Sequence, residues 1–172
     1  MVEAHFNQDC LLDYVKTDDG NIWTTTNSAE SDVADTIFRC YARYTIDDEE
    51  TITLYTLGHV ISNHPVPLTD SLASLADNPI KFVSSWKSGG YLNLHTSFLT
   101  TGTATHTFII CEDSVCAGTA YLSLRHLRPA EDAESYTQDL FVSIPLAHYI
   151  ACDSVCLDLC TYNGKKEIKY GI

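Results

Sequence analysis

Seven cysteines and seven histidines hold most of the reactive potential of this 172-residue chain. The histidines are scattered, and none stands in the i, i+4 pairing that puts two metal ligands on one helix face. No G-x-S-x-G elbow, H-E-x-x-H, phosphate loop or dinucleotide fingerprint occurs. His59 and His64 stand either side of a short turn-forming stretch and read as ordinary half-exposed histidines. His95 and His126 are more suggestive, because each sits at the end of an alternating run in what reads as one sheet, where adjacent strands would bring the rings within reach. A surface or packing role is the simpler reading of both. Arg125 reads as the ion-pair partner of nearby loop acids, and Glu131-Asp132 as a loop pair without the pocket that acid–base chemistry needs.

The cysteines Cys10, Cys40, Cys111, Cys116, Cys152, Cys156 and Cys160 contain no C-x-x-C pair, so a zinc knuckle does not fit. In the run CDSVCLDLC, strand alternation puts Cys152, Cys156, Asp158 and Cys160 on one face and Val155, Leu157 and Leu159 on the other. Cys156 and Cys160 are then ~13 Å apart, too far to bond or to share a metal. The thiols read as small packed hydrophobes, with a Cys111–Cys116 disulfide and a metal site as the alternatives. Asp47-Asp48-Glu49-Glu50 reads as a solvated turn, since a calcium loop spaces its ligands and turns on glycine.

Charge narrows the partners. Ten Lys and Arg against 23 Asp and Glu give a net charge of -13, which repels phosphate backbones and anionic membrane surfaces and argues against nucleic acid. The imbalance is uneven: 13 acids face Lys16, Arg39 and Arg43 up to Ala76, and 10 acids face 7 bases beyond it. That shift predicts a domain boundary, with one unit over 1–76 and another over 77–172.

The elements that position these residues are strands. Leu11 to Val15, the Asp18-Asp19-Gly20-Asn21 turn and Ile22 to Thr24 form a hairpin signal. Thr36 to Ile46 is a long strand whose inner face is Phe38, Cys40, Ala42, Tyr44 and Ile46, and Thr51 to Ile61 returns from it. Two prolines in Ser62 to Leu68 exclude a central strand, and Thr69 to Asn78 is a short linking helix with Leu72, Leu75 and Ala76 on one face. Gly89-Gly90 marks a bulge or close backbone approach flanked by Trp86 and Tyr91. Thr105 to Cys111 is a strand closed by a Glu112-Asp113 turn, and Asn163-Gly164 turns the last hairpin. Strands separated by turns every ~8–12 residues predict an all-β protein with a sandwich.

The TDDG hairpin, the long strand ending in an acidic turn, Asn78-Pro79, SGGYLNL, YLSLRH and the Asn163-Gly164 hairpin leading into KEIKY resemble, in that order, the NigD-like lipoproteins of Bacteroidota. The resemblance covers most of the chain, and SGGYLNL followed by YLSLRH is its most specific part. It implies an N-terminal OB-like barrel, a C-terminal antiparallel β-sandwich, and a precursor whose signal peptide and lipid-modified cysteine lie outside this chain. It further implies a cell-envelope location, facing the periplasm or the surface from the outer membrane. The family is linked to bacteriocin immunity, with no enzymatic activity or functional residue to transfer. The resulting expectation is a non-catalytic binding protein without cofactor or metal, taking a protein or peptide partner. An oligosaccharide-binding accessory module is the alternative, because Trp23, Trp86 and Tyr91, with His95 and His126, would form a binding surface if exposed.

Overall fold

In the computed structural model, which describes residues 1–133 and 135–172, the chain forms two compact units. The first comprises Met1–Ile61 with Ser88–Gly90. Its strands are β1 (Val2–Phe6), β2 (Leu12–Thr17), β3 (Ile22–Thr25), β4 (Thr36–Ile46) and β5 (Thr51–His59). They close into a barrel in the order β1-β2-β3-β5-β4, antiparallel except where β3 runs parallel to β5. The period-2 pattern of β1 explains the interior. Val2, Ala4 and Phe6 point inward to meet Leu12, Val15, Cys40, Ile52 and Leu54, while Glu3 and His5 point outward. Phe38, Ala42 and Tyr44 of the predicted inner face pack on this core, but Ile46 is 60% exposed at the strand end. Gly58 sits directly under the Tyr41 ring across the β4–β5 ladder, so a side chain there has no room.

The second unit comprises Ser62–Lys87 and Tyr91–Ile172. After β6 (Val66–Pro67) and α1 (Asp70–Ala73) come β7 (Lys81–Ser88), β8 (Tyr91–Thr100), β9 (Thr107–Cys116), β10 (Thr119–Leu127), β11 (Tyr136–Pro145), β12 (Ser154–Thr161) and β13 (Gly164–Gly171). One sheet runs β13-β12-β10-β9-β6 and the other β11-β8-β7. The buried side chains Leu92 and Leu94 of β8, Val142 and Ile144 of β11, Leu122 and Leu124 of β10 and Leu157 and Leu159 of β12 supply the interior. Phe98 of β8 meets Phe108 of β9 edge-on at 5.1 Å between the sheets. No helix among the described residues is long and apolar enough to cross a membrane.

The all-β reading, with a barrel followed by a sandwich, agrees with this architecture, and several details differ from it. The sandwich is mixed rather than antiparallel, because β10 runs parallel to β12 and β6 to β9. The runs at Tyr91 and Tyr121 lie in different sheets, so His95 and His126 are not cross-strand neighbours. Glu112-Asp113 is not a turn. β9 continues through it to Cys116, a register shift opposite Tyr121/Leu122 absorbs the extra residue, and the chain turns at Ala117-Gly118, both at positive φ. Gly89 and Gly90, with φ of 60° and 82°, are the two-residue turn of a hairpin rather than a bulge within one strand. In the last hairpin Thr161 faces Gly164, so Tyr162 and Asn163 make the turn.

The division between the units falls at Ile61, ahead of the change in charge near residue 76. The intervening segment is tied into the second unit, since Val66 pairs with Cys111 and Arg125 Nη2 donates to the carbonyl of Leu75 at 2.8 Å. The helix lasts one turn, capped by Thr69, whose hydroxyl accepts the Leu72 amide at 3.3 Å. It buries no residue, and Leu75 is 42% exposed.

Candidate functional site

Three side chains from separate segments of the second unit form a hydrogen-bonded chain inside the sandwich. His126 near the end of β10 lies 2.7 Å, Nε2 to Nδ1, from His106 just before β9. His106 Nε2 lies 2.7 Å from Asp132 Oδ2 in the loop before β11. The His106 and Asp132 side chains are 3% and 0% exposed, and His126 as a residue is 2% exposed. Asp132 Oδ1 accepts the Thr101 amide at 2.9 Å and also the Thr101 hydroxyl. These bonds, first that of the Thr101 hydroxyl, hold its carboxyl well below the ordinary carboxylate range despite burial. An ionised Asp132 orients His106 with Nε2–H toward it, which leaves Nδ1 to accept from His126 Nε2–H.

The His126 ring stacks on Phe108 at 4.5 Å and meets Phe98 edge-on. Its Nδ1 is buried without a hydrogen-bond partner among the described residues. Burial first, and then repulsion from His106, push its pKa down to about 4, so the ring is neutral at physiological pH. The acid–histidine order matches that of a general-base relay, yet His126 Nδ1, the nitrogen that would take the proton, is buried. Mechanically, the chain ties the segments around Thr101, His106 and Asp132 to β10.

The outward face of the five-stranded sheet is more accessible. Strand alternation on β10 turns Leu122, Leu124 and His126 inward and Ser123 and Arg125 outward. The register sets Ser123 beside Cys111 of β9 and Asp158 of β12, and Asp158 beside Glu167 of β13. A cavity of about 360 Å³ opens here, lined among others by Asp77, Asp113, Arg125, Asp158 and Lys165. Asp158 Oδ2 is 2.7 Å from Lys165 Nζ, and this bond first raises the lysine's pKa. Ser123 donates to Asp113 Oδ1 at 2.8 Å. Arg125 spends Nη2 on the backbone carbonyls of Leu75 and Ala73, and not on the loop acids expected from the sequence. Two polar atoms of this groove, Arg125 Nε and Asp158 Oδ1, are buried with no partner among the described residues.

All seven cysteines are free thiols. Cys111 and Cys116 lie along one strand, β9, five positions apart, which excludes a bond between them. Burial raises the pKa of Cys111, Cys156 and Cys160, and that of Cys40 to about 11. These four are therefore protonated and weak nucleophiles at neutral pH.

Residues 64–170, more than half of the chain, match the family model described as the NigD-like C-terminal beta sandwich domain. The chain belongs to the NigD-like family. Its fold is similar over 99% of its length to a NigD-like immunity protein from Bacteroides caccae, with a TM-score of 0.79, 23% identity and 89% of that chain covered. A protein of unknown function from Bacteroides vulgatus matches over 100% of this chain and 90% of its own, with a TM-score of 0.72 and 15% identity. A candidate lipoprotein from Bacteroides fragilis matches over 99% and 94%, with a TM-score of 0.67 and 13% identity. At these identities the likeness shows the fold alone. No curated protein matches the chain.

The residues singled out in the sequence of this NigD-like chain are dispersed. Trp23 packs half-buried against the barrel core. Trp86 and Tyr91 are half-buried on either side of the Gly89-Gly90 turn that joins β7 to β8. His95 stacks on Phe141 at 4.5 Å and lies 3.1 Å from Asp139, whereas His126 is in the interior chain described above. His59 meets the Phe38 ring edge-on, and His64 meets His148 at 5.0 Å, so the two do not pair around a turn. His106 and Asp132 escaped notice as partners of His126 because no local pattern links positions 20 and 26 residues apart.

Proposed function

We propose that this chain is a non-catalytic cell-envelope protein that holds a segment of a protein or peptide partner in the groove outside β9, β10, β12 and β13. The observation that carries the reading is the pair of unpaired atoms there, the donor Arg125 Nε and the acceptor Asp158 Oδ1. An extended peptide offers one carbonyl and one amide per residue, which is the complement of such a pair. Each unmade bond costs the free protein about 1–3 kcal/mol, so a partner that satisfies both gains correspondingly. The one histidine–carboxylate chain described inside the sandwich ends on a buried nitrogen, His126 Nδ1, which supports a role without catalysis.

Attachment to the outer membrane would come from a lipid on a cysteine outside this chain, in keeping with the candidate lipoprotein that shares the fold. The immunity named for the Bacteroides caccae relative suits a cationic bacteriocin as partner. The 13 acids of the first 76 residues would steer such a peptide, and binding would then weaken steeply with salt. The second reading is an oligosaccharide ligand, favoured by Tyr121, which is 38% exposed on the outward face of β10. The test is affinity capture from outer-membrane and culture fractions of a Bacteroidota host, with a glycan array in parallel. A protein or peptide retained by the wild type and lost by the Arg125→Ala/Asp158→Ala variant supports the groove. Glycan signal with no polypeptide retained transfers the role to carbohydrate.

A further inference from the structure

The lysines of this acidic chain are segregated. Six are present, Lys16, Lys81, Lys87, Lys165, Lys166 and Lys169, and all but Lys16 fall on β7 and β13, each the last strand of its sheet. The two strands meet along these edges. Ser85 and Tyr170 hydroxyls are 2.9 Å apart, Lys87 Nζ donates to the Gly171 carbonyl at 2.7 Å, and Ile80 bridges to Thr161. At one end of this seam a cavity of about 370 Å³ is lined by Lys81, Phe82, Tyr162, Lys165 and Lys166 with neighbouring backbone.

The charges at this cavity are positioned and largely uncompensated. Lys166 Nζ stands 4.7 Å over the Phe82 ring, which fixes its location. Lys165 is shared with Asp158, and Glu167 lies on the outward face beside that acid. Among the described residues the lysines in ion pairs are Lys16, with Glu3, and Lys165, with Asp158, so neither Lys81 nor Lys166 has an acidic partner there. Both are solvent-exposed, as is Tyr162. A chain carrying a net charge of -13 has a field that repels anions, and converging lysines reverse it locally.

We infer that the cavity between β7 and the β12–β13 turn is a binding site for a phosphate-bearing ligand. Ammonium groups are compact point charges suited to a multiply charged tetrahedral anion, whereas no arginine, the planar partner of carboxylates, lines this cavity. A soluble molecule and a lipid headgroup both present such a phosphate, and the two sources share this recognition chemistry. Lys165 lines both this cavity and the Arg125 groove, whereas Lys81 and Lys166 line this cavity and not the groove, so variants of these two separate the site from the partner reading.

The experiment titrates the isotope-labelled chain with inorganic pyrophosphate, and separately with phosphatidylcholine vesicles with and without phosphatidylglycerol. Pyrophosphate is expected to shift the signals of Lys81, Lys166 and Tyr162, and the Lys81→Glu/Lys166→Glu variant to weaken binding by roughly tenfold or more. Both lysines are exposed, and Lys81→Gln/Lys166→Gln gives a milder version whose unfolding transition must match the wild type. Lys16→Glu is expected to leave binding unchanged. Binding only to the phosphatidylglycerol vesicles, lost in the Glu variant, assigns the phosphate to a lipid headgroup. Absence of binding to both probes by the wild type, or equal binding by the Glu variant, overturns the site.

Discussion

Arg39 and Asp18 form a two-point ion pair inside the first unit, Nη1 to Oδ1 at 2.5 Å and Nη2 to Oδ2 at 3.0 Å, with side chains 3% and 14% exposed. Ser88 also donates its hydroxyl to Asp18. Burial alone would raise the Asp18 pKa, but the bonds from Arg39 and Ser88 outweigh it and hold the carboxyl below its ordinary range. Removing one partner of a buried pair leaves an uncompensated charge. Arg39→Ala is therefore expected to destabilise the barrel by about 3–5 kcal/mol. Urea unfolding followed through Trp23, which packs on that core, reads the loss. A change within about 0.5 kcal/mol, typical of surface sites, contradicts it.

The His126 pKa predicts how stability depends on pH. The folded value lies near 4, below the 6.5 of an ordinary histidine, so between those limits the unfolded chain binds the proton and the folded chain does not. Stability is full above about pH 6.5 and is lost as the pH falls toward 4, by at most about 1.4 kcal/mol per pH unit from this group. Asp132, also depressed, adds a further loss as the pH falls below its ordinary value of 3.8. His126→Phe keeps a ring against Phe108 and is expected to flatten the slope between pH 6.5 and 4. Equal slopes for variant and wild type contradict this.

Gly58→Ala tests the close packing of the barrel wall. The new methyl would overlap the Tyr41 ring, and overpacking of this kind costs about 1–3 kcal/mol. The cost is expected to shrink in a Tyr41→Ala background, because the two positions face each other across the ladder. Additive losses in the double variant contradict that.

Thiol labelling separates the cysteines. Cys116 is exposed and is expected to react in the native state, whereas buried Cys40, Cys111 and Cys156 react only as the protein unfolds. Rapid native labelling of Cys40, whose thiol burial pushes up to about 11, contradicts the structure.

Strand positions were legible because a half-buried strand writes its faces into every second residue, as in Val2-Ala4-Phe6 and Leu122-Leu124-His126. Partner choice was not, because alternation names a face and not a neighbour. Tyr91 and Tyr121 begin similar runs but lie in opposite sheets, and beside its hairpin partner β9 the strand β10 pairs with the later β12, running parallel. Glu112-Asp113 imitated a turn because that part of β9 is polar and itself carries the bulge, with Asp113 as the unpaired residue. The interior His–His–Asp chain was hidden for a similar reason. Asp132 lies in a polar loop whose composition resembles a solvated one, and only the fold carries it to 0% side-chain exposure.

Calorimetric titration of the captured partner into wild type and the Arg125→Ala/Asp158→Ala variant reads the contribution of the groove outside β9, β10, β12 and β13. Loss of two hydrogen bonds to charged groups, each about 1.5–3 kcal/mol, predicts that affinity falls by more than ~100-fold while His126→Phe binds as the wild type does. Equal affinity of the groove variant and the wild type would place the partner elsewhere and contradict the account.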